Sequence, residues 1–153
     1  MKNTGYKNDL NIDEKVMMAI VRVAELFKKD SSAIFNEFGL TFPQYNALRV
    51  LDASGRGQNT ITNVCKVMLV SGANMTGIVK RLEKSGFLTK KKDPKDDRVT
   101  ILAITAKGKR TLKKISEKKD RHIRRQLSGF SEKQKGEIVL HLIQMMKNRN
   151  PET

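Results

Sequence analysis

The stretch Leu69-Val70-Ser71-Gly72-Ala73-Asn74-Met75-Thr76-Gly77-Ile78-Val79-Lys80-Arg81-Leu82-Glu83-Lys84-Ser85-Gly86 decides how this chain folds. Met75, Ile78, Val79 and Leu82 recur at helical spacing and define one apolar face. Ser71 stands where an N-cap belongs and Gly86 where a helix stops, which predicts a helix over 72–85. Asn74, Thr76, Lys80, Arg81 and Lys84 project from its other faces. Any solvated amphipathic helix can look like this, so the neighbouring segments give the stretch its meaning.

Upstream, Thr62 to about Met68 reads as a short helix joined to the first by the tight turn at Leu69-Val70-Ser71. Before it, Leu40-Thr41-Phe42-Pro43-Gln44-Tyr45 combines a capping-box spacing at Thr41 and Gln44 with a first-turn proline. Leu40 and Tyr45 stand at staple positions. That helix runs through Ala47, Leu48, Val50 and Leu51 and breaks at Ser54-Gly55-Arg56-Gly57. Further upstream, Ile12, Val16, Ala19, Ile20, Val23, Leu26, Phe27, Ile34 and Phe38 predict a long first helix, stopped by Gly39.

Downstream the texture changes. Phe87 to Lys92 is short and mixed, Asp93-Pro94-Lys95-Asp96-Asp97 is turn-forming, and Val99 to Ile104 is rich in β-branched residues. Together they predict a two-stranded hairpin. Thr105 caps a fifth helix with Leu112, Ile115, Ile123 and Leu127 on its stripe. Ser128-Gly129-Phe130 ends it, and Ser131 with Gln134 opens a last helix that stops before Asn150-Pro151. Two helices joined by a tight turn and followed by a hairpin make a winged helix-turn-helix, so the expected class is mainly α (α+β) with a small β-hairpin wing. In such a motif the second helix presents side chains to base edges in the major groove while the first braces it.

Composition agrees. The 153 residues carry 31 Lys plus Arg against 16 Asp plus Glu, a formal charge of +15. The excess is regional. Residues 80–98 hold eight basic and four acidic side chains, and residues 107–125 hold ten basic and two acidic. Such a block favours a polyanion, because each neutralised phosphate releases condensed counterions. The longest apolar run, Val16 to Val21, is too short to span a bilayer, and the polar start from Met1 to Asn11 lacks a signal-peptide core. The expected location is therefore the cytoplasm, with no membrane partner. Single Cys65 excludes an internal disulfide framework.

The run from Ser71 to Gly86 resembles the recognition helix of the multiple antibiotic resistance regulator (MarR) family. Asp93-Pro94-Lys95-Asp96-Asp97-Arg98 is similar to that family's wing, with Asp96 and Arg98 matching its D-x-R pair. Ile104-Thr105-Ala106-Lys107-Gly108 resembles its Leu-Thr-x-x-Gly junction, and Leu40 to Leu51 its second helix. The resemblance implies a homodimeric transcriptional regulator, commonly a repressor released by a small, often aromatic ligand. It implies residues 1–39 as an N-terminal dimerisation helix, 40–108 as the DNA-binding region and 109–153 as C-terminal dimerisation helices. The expected partners are a pseudo-palindromic duplex operator, a second copy of the chain and a small-molecule effector. Gly77 departs from the pattern, since relatives often carry a polar or basic side chain there.

The candidate DNA-contacting residues are Ser71, Asn74, Thr76, Lys80, Arg81, Lys84, Lys92, Lys95, Asp96 and Arg98. Asn74 and Thr76 suit base edges. Lys80, Arg81 and Lys84 lie further along and suit phosphates, and the helix start at Ser71 offers backbone N–H groups to the same ligand. Arg98, by the resemblance, reaches the minor groove with Asp96 bracing it; an Asp–Arg pair at a tip is otherwise an ordinary surface salt bridge. Phe35, Phe38 and Tyr45 are the candidate ligand-lining residues, again by resemblance. Cys65 reads as a buried structural thiol, and His122 and His141 have no second ligand nearby in sequence, so no metal or cofactor is expected. The seven Met residues read as core and dimer packing.

No Gly-rich phosphate loop or nucleophile elbow occurs, which argues against an enzyme. The rival expectation is a non-specific basic nucleic-acid-binding or architectural protein acting through residues 107–125.

Overall fold

The computed structural model describes residues 9–149. The first eight residues and the Asn150-Pro151 stop lie outside the described residues. Six α-helices are present in the described part: α1 (Ile12–Asn36), α2 (Phe42–Asp52), α3 (Ile61–Met68), α4 (Gly72–Lys84), α5 (Ala106–Gln126) and α6 (Glu132–Arg149). Three strands, β1 (Gln58–Thr60), β2 (Leu88–Lys92) and β3 (Thr100–Ile104), form one antiparallel sheet in the order β1-β3-β2.

Local chemistry sets the helix limits. α1 opens on a capping box of Asn11 and Glu14. It closes through Gly39, whose φ of +72° lets the Leu40 N–H return to the Phe35 carbonyl at 3.1 Å. α2 has the expected Thr41–Gln44 box with Pro43 in its first turn, and α6 the Ser131–Gln134 pair. Ser71 caps α4 by accepting the Asn74 N–H, and Gly86, at φ +73°, ends the segment that follows it.

Two expectations need correction. The expected hairpin is present as β2 and β3, but the sheet has more than two strands, because β1 adds a third, pairing Gln58 with Ala103 and Thr60 with Ile101. Three residues give no readable alternation, so β1 is defined by its partner and not by its own pattern. The fifth helix also stops at Gln126, which leaves Leu127 beyond the helix and exposed.

Through Ile115 the chain forms one compact unit. Its core gathers Phe35 and Leu40 before α2, Tyr45, Leu48 and Leu51 from α2, Val64 from α3 and the four apolar residues of α4. Leu88 and Leu102 of the wing and Leu112 and Ile115 of α5 belong to it as well. Each fully buried leucine contributes about 1.5–3 kcal/mol. α1 meets α2 through aromatic rings: Phe35 stacks on Tyr45 with centroids 3.9 Å apart, and Phe27 meets Phe42 edge-on at 6.1 Å. The first part of α1, by contrast, exposes Ile12, Val16, Met17, Val21, Val23 and Leu26.

From Ser116 onward the chain forms a second unit. No residue of α6 is buried, and Ile138, Val139, Leu142, Ile143 and Met146 are all exposed.

Candidate nucleic-acid interface

The site is built on α4 and the wing. Met75, Ile78, Val79 and Leu82 are buried as expected, which turns Asn74, Thr76, Lys80, Arg81 and Lys84 to solvent. α3 precedes α4 through a turn in which Leu69 adopts a left-handed conformation, φ +53° and ψ +43°. Sequence reasoning missed this strained residue. Leu69 carries no helix-stop signature such as Gly or Asn, and its side chain is 85% exposed.

Two candidate readers are already engaged locally. The Ser71 hydroxyl accepts the Asn74 N–H at 3.4 Å, and the Thr76 hydroxyl donates to the Gly72 carbonyl at 2.9 Å. Thr76 therefore faces outward as an acceptor only, which suits an amino group on a base edge. The Asn74 side-chain amide makes no hydrogen bond among the described residues, leaving both its donor and its acceptor free.

The flank of α4 toward the wing is a groove of about 650 Å³ lined by Thr76, Lys80, Lys90, Lys91, Lys92 and Thr100 over a floor that includes Ile61 and Val79. Glu83 crosses this groove to Lys90 at 3.0 Å and ties β2 to α4. Lys90 and Lys91 were not among the expected residues. They belong here because the pairing of β2 with β3 and the Glu83–Lys90 ion pair bring the strand alongside α4. The other flank of α4 is a shallower hollow lined by Pro43, Val70, Ala73, Asn74, Gly77, Ile78 and Arg81.

At the wing tip, Arg98 is 91% exposed on its side chain and lies against Asp96, with Nε 3.1 Å from Oδ1 and an Nη 3.5 Å from Oδ2. The same carboxylate accepts the Arg98 backbone N–H at 3.0 Å. These bonds from Arg98 hold the Asp96 carboxyl below its ordinary pKa. Lys95 is exposed in the same turn, where its N–H donates to Asp93 at 2.7 Å.

The wing is anchored at its base. Thr105 accepts the Gly108 N–H at 3.1 Å while its own hydroxyl faces the Gly86 carbonyl at 2.7 Å. Lys107 donates to the Ser85 carbonyl at 2.7 Å and lies over the Phe87 ring. The last turn of α4 and the first turn of α5 are thus fastened together.

The other candidates lie elsewhere. Phe35 and Tyr45 are buried and stacked on each other, and Phe38 packs partly buried against the same core. Cys65 is half-buried and packs against the core, not fully enclosed as expected, because α3 turns its adjacent Val64 inward instead. Among the described residues, no group of three His, Cys, Asp or Glu side chains is placed to hold a metal ion. No helix among them is long and apolar enough to cross a membrane.

Residues 38–99 match the MarR family. Over 133 residues the chain is 28% identical to the uncharacterized HTH-type transcriptional regulator YkoM of Bacillus subtilis (strain 168), spanning 87% of this chain and 82% of that protein. It superposes with a TM-score of 0.85 on Sco3205, a MarR family transcriptional regulator from Streptomyces coelicolor in complex with DNA, at 19% identity over 96% of this chain and 94% of that one. The organohalide-sensing transcriptional regulator RdhR in its 2,4-dichlorophenol-bound form aligns with a TM-score of 0.81, at 17% identity over 96% of this chain and 88% of that one. At such identities the structural likeness shows the fold, a winged helix-turn-helix. Over residues 38–99, from the start of α2 through the wing tip, the chain is thus similar to the MarR family, and its α3-turn-α4 pair with the three-stranded wing is a winged helix-turn-helix.

Proposed function

We propose that this chain is a cytoplasmic, homodimeric regulator that binds a pseudo-palindromic DNA operator in sequence-specific fashion and represses until a small, aromatic effector releases it. The observation that carries the DNA reading is the outer face of α4. It presents an uncommitted Asn74 amide between the lysine-lined groove and the Arg81 hollow, with the Asp96-braced Arg98 on the adjoining wing. Asn74 and Thr76 address base edges, Lys80, Lys84, Lys92 and Lys95 address phosphates, and Arg98 addresses the minor groove. Ser71 and the opening turn of α4 offer backbone N–H groups to a phosphate.

Dimerisation is supported by the exposed apolar residues of α1 and, separately, by α6, which buries nothing in a single chain. Monomeric proteins rarely leave such surfaces in water. Residues 1–39 and 109–153 then serve as dimerisation segments and 40–108 as the DNA-binding region. Two reading heads would fall one helical turn apart, about 34 Å. The DNA-bound Sco3205 and dichlorophenol-bound RdhR supply the analogy for operator and effector.

Selection of bound sequences from a random duplex pool tests the reading. The expected result is a palindrome with half-sites one turn apart, bound with nanomolar-range affinity that falls steeply with salt. Recovery of no preferred sequence would remove the specific reading and leave a non-specific basic protein.

A further inference from the structure

Arg81 stands two turns into α4, where an arginine ordinarily reaches back toward a phosphate. Its surroundings point elsewhere. One guanidinium nitrogen lies 3.5 Å from the place a Cβ would occupy on Gly77, so the side chain folds along the helix toward the N-terminal half. That direction is the natural one for a long helical side chain, which covers the turn preceding its own Cα. The absence of a side chain at position 77 leaves it room to lie there.

The hollow that receives it is lined by Asn74 and Arg81 at the polar positions and by Ala73, Gly77, Ile78, Val70 and Pro43 elsewhere. Among the described residues Arg81 is the single cation lining this hollow, whereas the groove on the opposite flank gathers Lys80, Lys90, Lys91 and Lys92. The nearest acidic residue along α4, Glu83, is paired with Lys90 at 3.0 Å. Among the described residues Arg81 has no ion pair or side-chain hydrogen bond, so its planar donor fork is open to solvent. The charges on the two flanks therefore differ in kind. Lysines are point charges suited to phosphate, while a guanidinium matches the O6 and N7 acceptors of guanine in two parallel bonds.

We propose that Gly77 and Arg81 act as one unit in which Gly77 supplies the space and Arg81 reads a guanine edge beside the base contacted by Asn74. This rests on the DNA-binding reading above. Arg81 is then a specificity-determining residue and not a phosphate clamp, and Gly77 is its positioning residue.

The test uses the full chain and the duplexes recovered by random-pool selection, with every base pair of one half-site permuted in turn. Wild type is compared with Arg81→Ala, Arg81→Lys, Gly77→Ala and Gly77→Leu, each checked for an unchanged circular dichroism spectrum. Wild type is expected to prefer guanine at one position per half-site by roughly 5- to 150-fold, the range of one bidentate base contact. Arg81→Ala should abolish that single preference and keep the others, and Arg81→Lys should fail to restore it. Gly77→Leu should weaken it by displacing the guanidinium, whereas Gly77→Ala, which adds only an ordinary contact, should keep most of it. The dependence of binding on salt should hardly change in any of them. If Arg81→Ala instead weakens every duplex equally and lowers the salt slope by about 0.9, the loss of one phosphate contact, Arg81 is a clamp and the proposal is overturned while DNA reading stands. If wild type shows no preference at any position, the proposal and the sequence-specific reading of DNA fall together.

Discussion

Single residues carry strain and charge that can be measured directly. Leu69 holds a left-handed conformation that costs an L residue about 1–2 kcal/mol, and its side chain is 85% exposed, so little packing offsets the strain. Leu69→Gly should therefore raise stability by about 0.5–1 kcal/mol, the relief being reduced by the greater freedom glycine gains on unfolding. A higher urea midpoint is expected, and a lower one would show that the leucine side chain packs after all. Asp96 offers a second measurement. Its folded pKa is depressed by Arg98, so the brace is fully formed above the free aspartate value of about 3.9 and is lost as pH falls through the folded value. Carbon-detected titration should place the Asp96 carboxyl below a free aspartate in wild type and closer to it in Arg98→Ala, where the side-chain bonds are lost and the backbone N–H bond stays. The wing brace then contributes no pH dependence to binding between pH 6 and 8.

Elements are held by junctions as much as by their own propensity. A Cβ on Gly108 would lie 2.5 Å from the Phe87 carbonyl oxygen and 2.6 Å from Ile104, both fixed by the wing-to-α5 junction. Gly108→Ala should cost about 1–3 kcal/mol, read as a drop in urea midpoint, because backbone must move to admit the methyl group. A neutral result would mean that the junction is looser than its hydrogen bonds imply. The same junction illustrates what the sequence could and could not reveal. Thr105 was readable as a cap because its chemistry is local, and so were the boxes at Thr41 and Ser131, whereas the close approach of Gly108 to Phe87 joins distant parts of the chain. β1 was not readable, since Gln58-Asn59-Thr60 becomes a strand only by pairing with Leu102 and its neighbours far along the chain. The same holds for Lys90 and Lys91, placed beside α4 by strand pairing, and for Leu69, whose conformation is imposed by the helices on either side. α4 itself was legible almost residue by residue, because its buried and exposed faces follow one periodicity.

At the scale of the whole molecule, the question is how so much positive charge becomes selective. Replacing Val23 of α1 or Ile138 of α6 by Glu should, if these exposed residues meet a second copy, shift sedimentation toward monomer and sharply weaken palindrome binding. Unchanged mass in both variants would place the dimer contact elsewhere. The larger share of the +15 charge lies at residues 107–125 and not on α4, so charge density and the proposed base readers are separated along the chain. That separation yields the most direct test: the ratio of affinities for a selected duplex and a scrambled one, measured at fixed salt for two variants. Lys113→Ala/Lys114→Ala should lower both affinities together, or neither, and keep the ratio. Asn74→Ala should collapse it by roughly 5- to 150-fold. A ratio that survives Asn74→Ala but falls with the α5 lysines would contradict the reading of α4 as the specificity element.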